Sequence, residues 1–212
     1  MNEIPLAEVN YGKNVTIGKF SSIGRIPMAP QGVTKIDYKK LEIKSVNIGN
    51  NVVIGFGVVI YSDVYIGDNC LIGDGVHIRE GVKIGNNCII GIGTKVGART
   101  SIGNYSRVMD LSNVASDASL GDHVFIGPGV MMGNDNSMGR EDAGDGFNRR
   151  GPFLEDYVTV GMNSSVLPNT RIGKDTIIAA GSIVTKDIPS GVMALGSPAK
   201  VLRPLRKGER RC

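Results

Sequence analysis

Aliphatic residues recur every six positions, without a slip, through Ile48, Ile54, Ile60, Ile66, Ile72, Ile78, Ile84, Ile90, Val96, Ile102, Val108, Val114, Leu120, Ile126 and Met132. The register resumes at Val160, Val166, Ile172, Ile178 and Val184, and an earlier fragment shows at Ile17 and Ile23. Neither the helical period of about 3.6 nor the strand period of about 2 gives this spacing. Two residues before each hit stands another small or aliphatic side chain: Val52, Val58, Val64, Cys70, Val76, Val82, Cys88, Thr94. Each hexad therefore holds a short strand with two inward positions and one outward residue between them. Gly then Asn or Asp, as in Ile66-Gly67-Asp68, turns the corner, because these residues tolerate positive φ. Three hexads close one coil with three flat faces. Coils stacked at the usual strand spacing of about 4.8 Å bury the aliphatic columns.

Composition agrees. The 212 residues include 30 Gly and no Trp, and aromatics make up 5%, so the core must be built from small aliphatic side chains. Thirty glycines without a Gly-X-Y period exclude collagen and call for repeated turns. No apolar run approaches the roughly 20 residues of a bilayer helix. The start, Met1-Asn2-Glu3-Ile4-Pro5, has no basic head or apolar stretch, so no secretory signal is expected. Cys70, Cys88 and Cys212 form no disulfide framework, which points to a reducing, cytoplasmic setting. No Cys/His cluster offers a zinc site, and no metal is expected. The net charge of +4 is concentrated in Lys200, Arg203, Arg206, Lys207, Arg210 and Arg211. These either form a solvated tail or bind an anionic ligand. Nucleic acid is not expected, since no aromatics accompany the basic residues.

The pattern from Ile48 to Val184 resembles the hexapeptide-repeat acyltransferases, which form left-handed parallel β-helices. The expected fold is all-β: a left-handed parallel β-helix with a long inserted loop and a short C-terminal tail. Residues 1–190 form the helix, with insertions at about 25–47 and 133–157, and residues 191–212 form a capping segment and basic tail. The handedness comes from the resemblance alone, since the usual crossover rule favours right-handed connections.

The outward residue of each strand precedes its aliphatic hit, which sorts the faces. The first carries Val53, Leu71, Ile89, Arg107, Phe125, Ser165 and Ile183; the second Val59, His77, Lys95, Asn113, Met131 and Arg171; the third Asn47, Tyr65, Lys83, Ser101, Ser119, Thr159 and Ile177. The first is too apolar for a solvated face and is expected at a subunit interface. The resemblance implies a homotrimer with parallel axes.

The register breaks twice, between Ile23 and Ile48 and between Met132 and Val160. A long loop without strand period in a compact repeat fold is usually functional. In the family such a loop helps wall the active site. The segment from Val184-Thr185-Lys186 through Gly196-Ser197-Pro198-Ala199-Lys200 is similar to the closing signature of coenzyme-A-dependent members. The resemblance implies an acetyl-CoA site at Gly161, Ala179, Ala180, Lys186, Ser197, Pro198, Lys200 and Arg203. Alternatively, Pro198 and Lys200 merely end the helix.

Acyl transfer from a thioester needs a base, an oxyanion donor and an oriented acceptor. Many family members use a His at the start of the long loop. Here the loop begins Gly133-Asn134-Asp135-Asn136 and contains none. The candidate catalytic residues are His123, His77, Asp135 and Asp110. His123 lies in the coil from which the loop leaves, and His77 is an outward strand residue. Asn113, Asn134, Arg149 and Arg150 are the candidate acceptor contacts; the arginines suit a diphosphate. A hydroxyl needs a base, whereas an amine is partly neutral near pH 7–8. The missing loop His therefore favours N-acylation of a sugar or nucleotide sugar. O-acylation of a sugar or antibiotic hydroxyl and a non-catalytic β-helix scaffold are the alternatives.

Overall fold

The computed structural model describes residues 6–27, 43–137 and 150–210. Its strands fall into three sheets, in which each strand up to Ile183–Val184 pairs in parallel with its counterpart one coil away. The architecture is the expected left-handed parallel β-helix. The aliphatic columns fill it: Ile54, Ile60, Ile66, Ile72, Ile78, Ile84 and Ile90 are all essentially inaccessible.

The corners explain the Gly-Asn/Asp step. The carboxylate of Asp68 accepts the backbone N–H of Asn50 in the neighbouring coil at 2.6 Å, and Asn86 accepts that of Asp68 at 2.8 Å. Gly49 lies against Asp68, and a β-carbon there would overlap its carboxylate and backbone. The next residue, Asn51, has φ 55°. Where the small inner residue carries a hydroxyl it makes a bond between coils: Thr94, Thr100, Ser106, Ser112 and Ser164 donate to carbonyls of the next coil at 2.9–3.1 Å. Cys70 and Cys88 are buried free thiols in this same series, donating to Gly85 O and Gly103 O at 3.1 Å.

The faces differ from the sequence expectation beyond the second insertion. Phe153–Leu154 pairs with Ser119–Leu120, so the chain re-enters on the third face one hexad before Val160. Thr159 and Ile177 therefore stand on the first face, Ser165 and Ile183 on the second, and Arg171 on the third. Measuring the gap to Val160 hid the Leu154 hexad and rotated every later outward residue by one face.

The same pairing places the insertions. Val9–Tyr11, Thr16–Ile17 and Ser22–Arg25 form a first coil under Val46–Ile48, Val53–Ile54 and Val59–Tyr61. The chain thus departs twice from one edge of the prism, the corner between the second and third faces. At the far end the hairpin Val192–Gly196/Ala199–Pro204 joins the first-face sheet beside Ile177–Ile178. Among the described residues no helix is long and apolar enough to cross a membrane.

Candidate active site

One residue per coil occupies the first corner position after the second face. In ascending coils it is Tyr61, Arg79, Gly97, Ala115 and Gly133. One coil below, Arg25 pairs with Tyr61 after a one-residue shift in register. Large side chains thus give way abruptly to side chains of one carbon or none. Arg25 and Arg79 lie over the Tyr61 ring, at 5.9 and 5.0 Å from its centroid. Above this ledge opens a groove of about 390 Å³. His77, Lys95 and Asn113, stacked in register on the second face, form its side wall. Ser116 and Asn134 line it toward the second insertion.

The polar lining is partly tied down. Arg79 donates to Glu80 through Nε at 2.8 Å and Nη2 at 3.0 Å, and this pairing stabilises its charged form. Asn113 donates its side-chain N–H to Met132 O at 3.1 Å. Ser116 Oγ accepts the Ala98 N–H at 3.0 Å. Asp135 accepts both the N–H and the O–H of Ser137, at 2.8 and 2.6 Å, and so shapes the first turn of the insertion.

Of the sequence candidates, the groove gathers His77, Asn113 and Asn134, with Asp135 next to it in the chain. It does not gather His123. That residue sits at the corner between the third and first faces, with φ 58°. Its ring is stacked between Tyr105 and Tyr157, with centroids 4.9 and 4.7 Å apart and planes 4° from parallel. Asp110 occupies the remaining corner, where it accepts the Ile92 N–H at 2.9 Å as Asp74 does for Phe56. Arg150 stands at the return of the second insertion and is exposed, and Arg149 lies outside the described residues.

The residues implied for the cofactor cluster at the C-terminal end. Gly161, Ala179 and Ala180 lie at the first-to-second-face corner, where a side chain on Gly161 would strike the Ala180 backbone. Ser197 and Pro198 form the exposed hairpin tip. Lys186 and Lys200 are exposed and form no ion pair among the described residues. Arg203 instead donates to both carboxylate oxygens of Glu209 at 2.7 Å, which pulls the Glu209 pKa down to about 2.

Residues 45–80, 63–98 and 151–186 each match the bacterial transferase hexapeptide (six repeats) family. Residues 45–98 and 151–186 are thus similar to the hexapeptide repeat of that family. Among curated relatives, the chain is 37% identical over 97 residues to the galactoside O-acetyltransferase of Lactococcus lactis, covering 44% of this chain and 46% of that one. It is 47% identical over 51 residues to the 2,3,4,5-tetrahydropyridine-2,6-dicarboxylate N-acetyltransferase of Staphylococcus aureus, covering 24% and 21%. The matches thus span less than half the length of these relatives. A hexapeptide-repeat-containing acetyltransferase of Vibrio cholerae, solved with acetyl coenzyme A, shares the fold. It is 24% identical with a TM-score of 0.50, over 60% of this chain and 72% of that one.

Groove residues that escaped the sequence reading as site residues include Lys95 and Ser116 and, on the ledge, Tyr61 and Arg79. The signal for the ledge was present in the corner column, where Tyr61 and Arg79 precede Gly97 and Ala115, but it appears only once the coils are stacked.

Proposed function

We propose that the protein is an acyltransferase that carries an acetyl group from acetyl-CoA to an amine of a sugar or nucleotide sugar held in the second-face groove. The observation that carries this reading is the placement of His77. Its imidazole is on the wall of the groove, whereas the His123 ring is sandwiched at another corner.

The reaction joins the acceptor nitrogen to the thioester carbonyl carbon and breaks the carbon–sulfur bond. His77 takes the proton from the attacking nitrogen and returns it to the departing CoA thiolate. An imidazole suits both transfers because a ring nitrogen can accept a proton and then give it back. Asn113 has one amide N–H committed to Met132 O, which fixes the side chain so that its carbonyl oxygen can orient the acceptor.

The C-terminal end fits a phosphorylated cofactor: Lys186 and Lys200 are exposed ammonium groups without a carboxylate partner among the described residues. With Gly161, Ala179, Ala180, Ser197 and Pro198 they would hold acetyl-CoA, which supplies the activated acyl group. Arg203 joins them only when Glu209 releases it. The chain would work as a homotrimer through its apolar first face, inside the cytoplasm. O-acylation is the second reading, in which the same His77 would serve a hydroxyl as base.

Calorimetric titration with acetyl-CoA, then with free CoA, tests the cofactor. One micromolar site per chain is the expected result. No binding up to millimolar concentration would overturn the reading in favour of a scaffold.

A further inference from the structure

Resting on the acyltransferase reading, we infer that Arg79 and Lys95 form an anion subsite in the groove, so that the acceptor carries a phosphate or carboxylate group. Two permanent cations line the cavity, and no carboxylate does among the described residues. The nearby acids have partners of their own. Glu80 holds Arg79, Asp117 pairs with Arg99 at 2.6 and 2.7 Å, and Asp135 is bound by Ser137. Lys95 has no ion-pair partner among the described residues. An ammonium group on the wall of a concave site, with no carboxylate paired to it among the described residues, favours an anionic occupant.

The ledge fixes the position of that occupant. Glu80 uses two N–H groups of Arg79 from one side, and the Tyr61 ring supports the guanidinium from below. The guanidinium is thereby held still, which lowers the entropy lost when its remaining donors bind an oxyanion. Lys95 lies one coil above, in register with His77 and two residues before Gly97, the residue that stands over Arg79. An anion bridging Arg79 and Lys95 would set the reacting end of the acceptor against His77. Gly97 and Ala115 keep the space above the ledge open.

The test uses pyrophosphate and malonate as probes, titrated calorimetrically into the wild-type protein and into Lys95→Gln and Arg79→Gln, with and without saturating free CoA. The expected result is millimolar binding of at least one probe, weakened about tenfold or more in either variant and unchanged by CoA. Tighter pyrophosphate binding assigns a phosphorylated acceptor, and tighter malonate binding a carboxylated one. Binding of neither probe, or equal binding to variants and wild type, would overturn the subsite. Loss of probe binding with CoA would also overturn it, because the groove would then hold the donor's phosphates. Acetyl-CoA titration of the same samples separates the two claims. If acetyl-CoA fails to bind while the probes still depend on Lys95, the acyltransferase reading falls and the anion site stands.

Discussion

At the residue scale, the two histidines illustrate how one side chain takes opposite roles by position. His123 occupies the corner site that Asn51, Asn69 and Asn87 fill in other coils, all with positive φ. There its ring continues a ladder between Tyr105 and Tyr157. Each stacked aromatic pair contributes about 0.5–1.5 kcal/mol beyond area burial. His123→Asn, which keeps a residue suited to the backbone, is expected to lower stability by about 1–2 kcal/mol. At roughly 2–4 °C per kcal/mol for a chain of this size, thermal unfolding would show it, with turnover unchanged. His77 touches no such ladder and faces the groove, so its substitution is expected to act on rate instead. The buried thiols of Cys70 and Cys88 belong to the hydroxyl series. Cys88→Ser should be tolerated, since a hydroxyl there can reach Gly103 O as Ser106 reaches Gly121 O. A fall in Tm of more than a few degrees for that variant would contradict this assignment.

At the element scale, the first face and the C-terminal hairpin make separate predictions. Val53 and Leu71 are each 44% exposed, and Ile89 and Phe125 continue their column. Ile89→Asp would place an unpaired charge in the proposed interface and should reduce a trimer to monomers by light scattering. A persistent trimer mass would contradict the face assignment. In the hairpin, Arg203 binds the tail through Glu209, and Glu209 also accepts the Arg206 N–H at 2.8 Å. The carboxyl is held at about 2, well below its usual value. Its contribution to tail docking is therefore complete above the ordinary carboxyl pKa of about 4.3 and is lost as the pH falls through about 2. Amide exchange in residues 205–209 should stay slow at pH 4–5, and Glu209→Gln should release the tail at pH 7.

The elements were legible in the sequence because one hexad encodes one strand and one corner, so the period of six alone gives the coil. The bookkeeping of faces was not legible after the second insertion. Leu154 looks like any aliphatic residue in a loop, and only its pairing with Leu120 shows that the helix has restarted. The site was half legible. Asn113 and Asn134 could be singled out by their positions, but the groove arises from the contrast between Arg79 and Gly97 one coil apart.

At the scale of the whole molecule, a rigid stack of coils supplies flat faces and regular corners, which by themselves have no concavity. This chain creates one by removing side chains at one corner, and both insertions depart from that same edge. The groove then lies at the second-to-third-face corner, away from the first-face sheet that the C-terminal hairpin extends. The most direct test of the account is CoA thiol release from acetyl-CoA against a panel of amino-sugar nucleotides, comparing wild type, His77→Asn and His123→Asn. The account predicts acceptor-dependent release by the wild type, a loss of about 10²–10⁴-fold in His77→Asn, and wild-type turnover in His123→Asn. Full activity of His77→Asn, or loss confined to His123→Asn, would contradict it.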